Sequence, residues 1–330
     1  GVTLKSYSAV WPFDDVALGR IDAAFLDTPI TAYYAKPDKR LKYVGPPEGE
    51  GYYGIAIRKD DRELKESIDR IIDKLLRTGE LKRIYDKWDI WDKAQTKLFE
   101  FGTSSDAASQ LRTESNEAPL STFLPTLLRG AGMTVVLSVI SMALAVCLGI
   151  CLAFLRMYGP AALSTASAVY IEVYRGTPLL IQLFILYYGL PNIGIALSPL
   201  AAAIIGLGMN YAAYEAEVYR GGIEAVPKGQ MEAALSLGMP RMLALRLVVF
   251  PQAFRISLPA VTNDFIALFK DSSIVSVIAM VELTKTYGIL AATTLRYFEL
   301  GLVVALLYFG MSWPLAVMAR RLERKLKGHR

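Results

Sequence analysis

Residues 130–155 read GAGMTVVLSVISMALAVCLGICLAFL, 26 positions without a charged side chain, closed by Arg129 and Arg156. A hydrocarbon layer is crossed by about 20 consecutive apolar residues in helical form. Only a helix satisfies such a backbone from within one segment, so this stretch is a spanning helix. Four more segments follow: about 162–190 (interrupted by Glu172 and Arg175), 197–220 after the break PNIGIALSP, 255–283, and 297–319. Five spans put the two ends on opposite sides. Arg156, Arg175, Arg220, Lys228, Arg241, Arg246, Arg255 and the tail RRLERKLKGHR then share one side, and only Lys285 and Arg296 among the short connections lie opposite. The bias of positive residues predicts a cytoplasmic tail and a cytoplasmic 221–254 loop, with the N-terminal third outside.

The remaining composition agrees with a divided chain. Of the 330 residues, 53% are hydrophobic, too many for a soluble protein of this length. Residues 1–120 hold 19 Lys+Arg and 21 Asp+Glu, whereas residues 121–330 hold 17 and 10. The net charge of +5 comes from residues flanking apolar segments, which marks a membrane flank and no nucleic-acid partner. One histidine, near the C-terminus, leaves nothing for a metal site or histidine catalysis. Cys147 and Cys151 are four apart and read as buried thiols on one helix face. No GxxxxGK[ST] loop or nucleophile elbow occurs, so the chain is not expected to be an enzyme or to bind a cofactor. The sequence begins at Gly1 without a signal peptide, which an external domain requires, so upstream sequence is expected.

The soluble part, residues 1–92, reads as mixed strand and helix. GRIDAAFLD (19–27) is a turn into a short buried strand, and TPITAYYAK a helix with Thr28 at its cap and Pro29 at its first position. LKYVG (41–45) and GYYGIAIRK (51–59) are further strands. DRELKESIDRIIDKLLRTGE spaces Leu64, Ile68, Ile71, Ile72 and Leu75 along one helical face ending at Gly79, and ELKRIYDKW forms another helix. The strands are too few for a complete α/β domain. Residues 93–121, KAQTKLFEFGTSSDAASQLRTESNEAPLS, read as a tether.

The strings LGRIDAAFLDTPITAYYA, GYYGIAIRKDD and LLRTGELKRIYDKW resemble the C-terminal part of periplasmic amino-acid-binding proteins. The resemblance implies that Asp27 binds the α-ammonium group of an amino acid. An acid at a strand end facing a ligand crevice suits that role. The alternative is that Asp27 only caps the following helix. The carboxylate-binding residues of that family have no counterpart here, so residues 1–92 alone are not expected to bind substrate.

VYRGTPLLIQLFILYYGLP (173–191), AYEAEVYRGGIEAVPKGQMEAALSLGM (213–239) and FPQAFRISLPAVTNDFIALFKDSSIVSVI (250–278) resemble the permease subunits of polar-amino-acid ABC importers. Within the 221–254 loop, EAALSLGMPRMLALRLVVFP (232–251) is similar to the cytoplasmic EAA segment of those permeases, with Val248 and Phe250 as small departures. Gln230–Leu237 reads as a short helix stopped by Gly238. The resemblance implies that Glu232, Ala233, Ala234 and Gly238 couple to a separate ABC ATPase subunit, so that ATP acts through a partner. A short helix laid in a groove is the physical form of such a contact.

Charges inside membrane segments are costly and face protein or a watery path. Glu172 and Arg175 are three apart and can pair. Asp264 and Asp271 are seven apart on one face, with Lys270 adjacent. Glu172, Arg175 and the patch Lys270, Asp271, Ser272, Ser273 therefore line or gate a translocation path, or else form ion pairs between helices. Glu215 and Glu217 read as fold or interface residues.

The expected fold class is multi-domain: a truncated α/β periplasmic-binding-protein lobe at 1–92, then an all-α integral membrane domain of five transmembrane helices at 122–327. The expected function is a multi-pass inner-membrane permease subunit of an ATP-driven importer of polar amino acids, with a fused external binding domain. Its expected partners are ABC ATPase subunits, a second permease subunit, the amino acid and membrane lipid. The alternative is a ligand-gated ion channel, which predicts a re-entrant pore loop with a filter sequence; none is found.

Overall fold

The computed structural model describes residues 12–45, 48–49, 53–58, 60–92, 94–97 and 118–327. The chain divides into two compact units, Gly1–Glu117 and Ala118–Arg330. Most of the expected tether (93 and 98–117), strand residues 51, 52 and 59, and tail residues 328–330 lie outside the described residues.

The first unit contains helices α1 (Pro12–Ala17), α2 (Thr28–Tyr34), α3 (Arg62–Arg77) and α4 (Glu80–Lys87). The helical readings hold. Asp61 caps α3 through the Leu64 amide, Pro29 opens α2, and Gly79 takes the left-handed φ of +71° that separates α3 from α4. The strand readings do not. Residues 23–27, 41–44 and 53–58 carry no strand, and there is none among the described residues. A strand needs a neighbour to complete its ladder, and these segments find none among the described residues. Their apolar side chains stay exposed, Phe25 and Val44 each at 84%. The apolar face of α3 is likewise only partly covered, with Leu76 buried but Ile71 exposed. The α/β lobe is therefore not supported.

The second unit is helical throughout: α5 (Leu124–Tyr158), α6 (Ala161–Gly176), α7 (Leu179–Phe184), α8 (Pro199–Glu224), α9 (Lys228–Ser236), α10 (Arg241–Ala244), α11 (Phe250–Asp271), α12 (Leu283–Thr294) and α13 (Tyr297–Lys327). Three stretches, Leu124–Tyr158, Arg241–Ile278 and Tyr297–Arg321, are long and apolar enough to cross a membrane. The pair Ala161–Gly176 and Leu179–Ile193, bent by 106°, makes a fourth candidate. The expected third span, α8, is 26 residues long but less apolar, because it is the central helix. Its Ala202, Ala203, Ala212, Ala213 and Ala216 are fully buried against neighbouring helices.

Small residues let α5 and α8 approach closely, which is how helices associate without a hydrophobic drive in lipid. A side chain on Gly149 would put its Cβ 2.6 Å from Cβ of Glu215 and 3.1 Å from the Ala212 carbonyl oxygen. Leu152, Ala153, Ile171, Ala212 and Ala216 pack around this seam. Cys147 and Cys151 are exposed on α5, contrary to the expected burial. The outer face of a spanning helix meets lipid, so an apolar thiol there needs no protein cover.

Two features depart from five straight spans. The second apolar segment breaks at Thr177-Pro178, where Thr177 is extended (φ −120°, ψ 143°), as the residue before a proline prefers. Also, the connection expected near 284–296 is a helix, α12, whose N-terminus is capped by buried Glu282. The Glu282 carboxylate accepts from the Thr284 and Lys285 amides at 2.8 and 2.7 Å. It also accepts from the Tyr308 hydroxyl at 3.0 Å and the Thr134 hydroxyl at 3.3 Å, which ties α12 to α13 and α5.

Candidate functional site

The break at Thr177-Pro178 opens the carbonyls that a continuous helix would have used, and each needs a donor away from water. Gln182 supplies it. Its Nε2 donates to the carbonyls of Tyr174 and Thr177 at 3.0 and 3.1 Å, and to the Thr177 hydroxyl at 2.8 Å. Its Oε1 accepts from Asn210 Nδ2 of α8 at 3.0 Å. This polar brace fixes the bend beside α8.

Next to the brace lies a cavity of about 600 Å³, walled by the α6–α7 break, α8 and α11. Its polar lining is Arg175, Thr177, Asn210, Tyr211, Tyr214, Asp264 and Asp271. Arg175 lies over the Tyr214 ring, 5.6 Å from its centre. Asp271 accepts a hydrogen bond from the Tyr211 hydroxyl at 2.7 Å. A guanidinium, two carboxylates and hydroxyl and amide groups thus meet in one concave space. The volume and the mixture of apolar walls with convergent polar groups suit a small-molecule site.

Behind Arg175 stands a cluster with Glu217 at its centre. Glu217 accepts from Arg156 of α5 and from Arg220 Nη2 at 2.8 Å, and Arg175 Nη1 lies 3.9 Å from it. Arg220 continues to Glu224 at 2.7 Å. One carboxylate therefore joins α5, α6 and α8.

Of the expected path residues, Arg175 and Asp271 line this cavity, seven-residue spacing having set Asp264 and Asp271 on one face of α11. Glu172 is exposed and Arg175 pairs with Glu217 instead of with it, because Glu217 reaches the guanidinium from α8. Lys270 is exposed and outside the lining, as is half-buried Ser273. Ser272 is fully buried and donates to its own helix at the Phe269 carbonyl, 2.8 Å away. Tyr211, Tyr214 and Asn210 were missed by sequence reasoning. Their signal was the polar run NYAAY inside an otherwise apolar span.

The second expected site is the 221–254 loop. Here α9 ends in a Schellman turn: Met239 N–H bonds the Ala234 carbonyl at 3.2 Å and Gly238 N–H bonds the Leu235 carbonyl at 2.9 Å. Gly238 has φ +80°. Ala234 is buried, while Glu232, Ala233 and Leu237 are exposed, Leu237 at 83%. Val226, Leu245, Val249 and Ala253 form a small core against which Met231 packs. The helix is thus anchored on one face and open on the other.

In the first unit Asp27 occupies the N-cap position of α2 but makes no side-chain cap bond. It accepts instead from the Tyr53 hydroxyl at 3.1 Å. Partial burial and the Asp27 carboxylate hold the Tyr53 hydroxyl above its ordinary pKa. No group of metal-ligating side chains occurs among the described residues.

Several helices long and apolar enough to cross a membrane, with a polar cavity beside the broken pair and an anchored loop helix, define a polytopic membrane protein. Residues 145–328 match the family of binding-protein-dependent transport system inner membrane components, and the chain belongs to that family. It is 39% identical over 191 residues, 57% of its length and 86% of the relative's, to the probable amino-acid ABC transporter permease protein PatM of Vibrio harveyi. It is 35% identical to the glutamine transport system permease protein GlnP of Escherichia coli K12, over 62% of this chain and 94% of that protein. A solved structure, an amino acid ABC transporter with histidines, is 38% identical over 62% of this chain and 96% of that one, with a TM-score of 0.60. The chain is therefore a multi-pass inner-membrane permease of the ABC type, and its family works with ATPase and binding-protein components. The channel alternative is not favoured.

Proposed function

We propose that the chain is the membrane subunit of an ATP-driven importer of polar amino acids. The observation that carries this reading is the cavity at the α6 break, where one guanidinium and two carboxylates converge. An α-amino acid presents the complementary pair, a carboxylate for Arg175 and an ammonium for an aspartate. The amino-acid permeases among its relatives support the same substrate class.

In this reading the amino acid is delivered from outside, occupies the cavity, and is released inward when two permease subunits change their access. ATP is hydrolysed on a separate subunit docked against α9, where Glu232, Ala233 and Leu237 are open and Gly238 fixes the turn. The first unit is the C-terminal part of a fused receptor domain, held outside, with Asp27 reserved for the ammonium group. Its exposed Phe25, Val44 and Ile55 support the presence of a further covering partner. The test is co-expression with an ABC ATPase subunit and purification in mild detergent. The wild-type chain retains the ATPase, and Glu232→Arg releases it. Equal retention by both would remove the docking assignment.

A further inference from the structure

The cavity wall ends on α11 at Asp271 and on α7 at Leu179. Beyond both residues the chain departs from regular α-helix. After Asp271, Ser272–Ile278 winds as a 3₁₀ helix of seven residues. After α7, Ile185–Gly189 makes a π-turn. Runs of 3₁₀ helix longer than three or four residues are uncommon, and such irregular turns within longer helices mark hinges or strain. The two segments meet, the Tyr188 hydroxyl donating to the Val277 carbonyl at 3.3 Å. Val275 and Ile278 are fully buried, and the 3₁₀ segment packs against α5, α7, α8 and α12. A buried segment thus lies across this end of the cavity.

The far end of that segment is strained. Ala279 has φ +60°, in the left-handed region that an L-residue occupies only where its surroundings hold it. Past it, Glu282 ties the chain to α5 and α13 through the Thr134 and Tyr308 hydroxyls. A 3₁₀ helix rises about 2.0 Å per residue and an α-helix about 1.5 Å, so rewinding the segment as α-helix shortens it by about 3.5 Å. With the Glu282 end fixed, a displacement of that size breaks the Tyr188 bond, frees Ala279 from its strained turn and withdraws Val275 from its buried place. Strain at Ala279 favours rewinding, and the Tyr188 bond opposes it.

We infer that Ser272–Ile278 is a moving gate at this end of the cavity, latched by Tyr188 and sprung by Ala279. Its role as a gate rests on the cavity being the solute path; the rewinding itself does not.

The test is the rate at which a maleimide labels the thiol of Val275→Cys in the purified full chain in detergent, with exposed Cys147 and Cys151 replaced by serine. Tyr188→Phe keeps the ring against Phe184 and Tyr187 but removes the donor. It speeds labelling about two- to tenfold. Ala279→Gly relieves the turn that drives rewinding and slows labelling about fivefold. Leu295→Gly relieves a similar φ of +58° at the far end of α12 and leaves the rate unchanged. Leu207→Cys, equally buried on α8, labels no faster when Tyr188→Phe is added. An unchanged rate in either Tyr188→Phe or Ala279→Gly overturns the inference, as does a shift of both in one direction. So does equal acceleration at Leu207→Cys, which would mark general loosening, or a response to Leu295→Gly as large as that to Ala279→Gly. The expected rates, in a chain that moves no amino acid with its ATPase and ATP, support the hinge and refute the transport reading alone.

Discussion

Gly238→Ala isolates the turn that holds the loop helix. Gly238 sits at φ +80°, with nothing within 4 Å of where a Cβ would lie, so alanine meets no clash there, only backbone strain. An L-residue held in the left-handed region costs about 1–2 kcal/mol. If docking to an ATPase requires the Schellman turn, that strain becomes a loss of affinity of about 5- to 30-fold. Gly229, in the first turn of the same helix, is also unobstructed but has ordinary φ. Alanine there gains up to about 1 kcal/mol of helix propensity. Titration of detergent-solubilised chain with ATPase subunit, followed by fluorescence anisotropy, separates the two. Gly238→Ala weakens capture and Gly229→Ala does not. Equal affinities for both variants would refute the claim that the turn geometry matters to docking.

Gly149→Ala and Gly132→Ala lie on one helix with opposite surroundings, crowded by Glu215 and open respectively. Overpacking of about 1–3 kcal/mol outweighs the propensity gain at Gly149 only, so its apparent melting temperature in detergent falls while that of Gly132→Ala holds or rises. Gln182→Leu strips the donor from the Tyr174 and Thr177 carbonyls, at about 1–3 kcal/mol for groups left unsatisfied; accelerated proteolysis near residue 177 reports the loosened bend. Glu282→Ala removes the α12 cap and the bonds to Tyr308 and Thr134. It destabilises by about 3 kcal/mol or more, and loss of monodispersity on gel filtration checks it.

The membrane unit was legible because charge-free length is a strong signal: Arg129 to Arg156 alone fixes α5, and Asp264 and Asp271 share a face by spacing. Gly238 was legible as a helix stop because no other residue takes that conformation so cheaply. The break at Thr177-Pro178 was not, although the T-P pair was present, because apolarity continues through it. Helix α12 was missed because its cap is a buried glutamate satisfied by Thr134 and Tyr308, residues distant in sequence. The Arg175 partner was missed for the same reason: helical spacing pointed to Glu172, while Glu217 arrives from another helix. In the first unit, short apolar runs bounded by turn residues suggested strands. A strand depends on its neighbour more than on its own residues, and the described residues provide none.

The most direct test of the transport claim is uptake into proteoliposomes holding the chain with its ATPase subunit and internal ATP. The account predicts accumulation of amino acid against its gradient that requires hydrolysable ATP and falls by about tenfold or more with Arg175→Ala. Equilibration that proceeds equally without ATP, or uptake indifferent to Arg175→Ala, would contradict it.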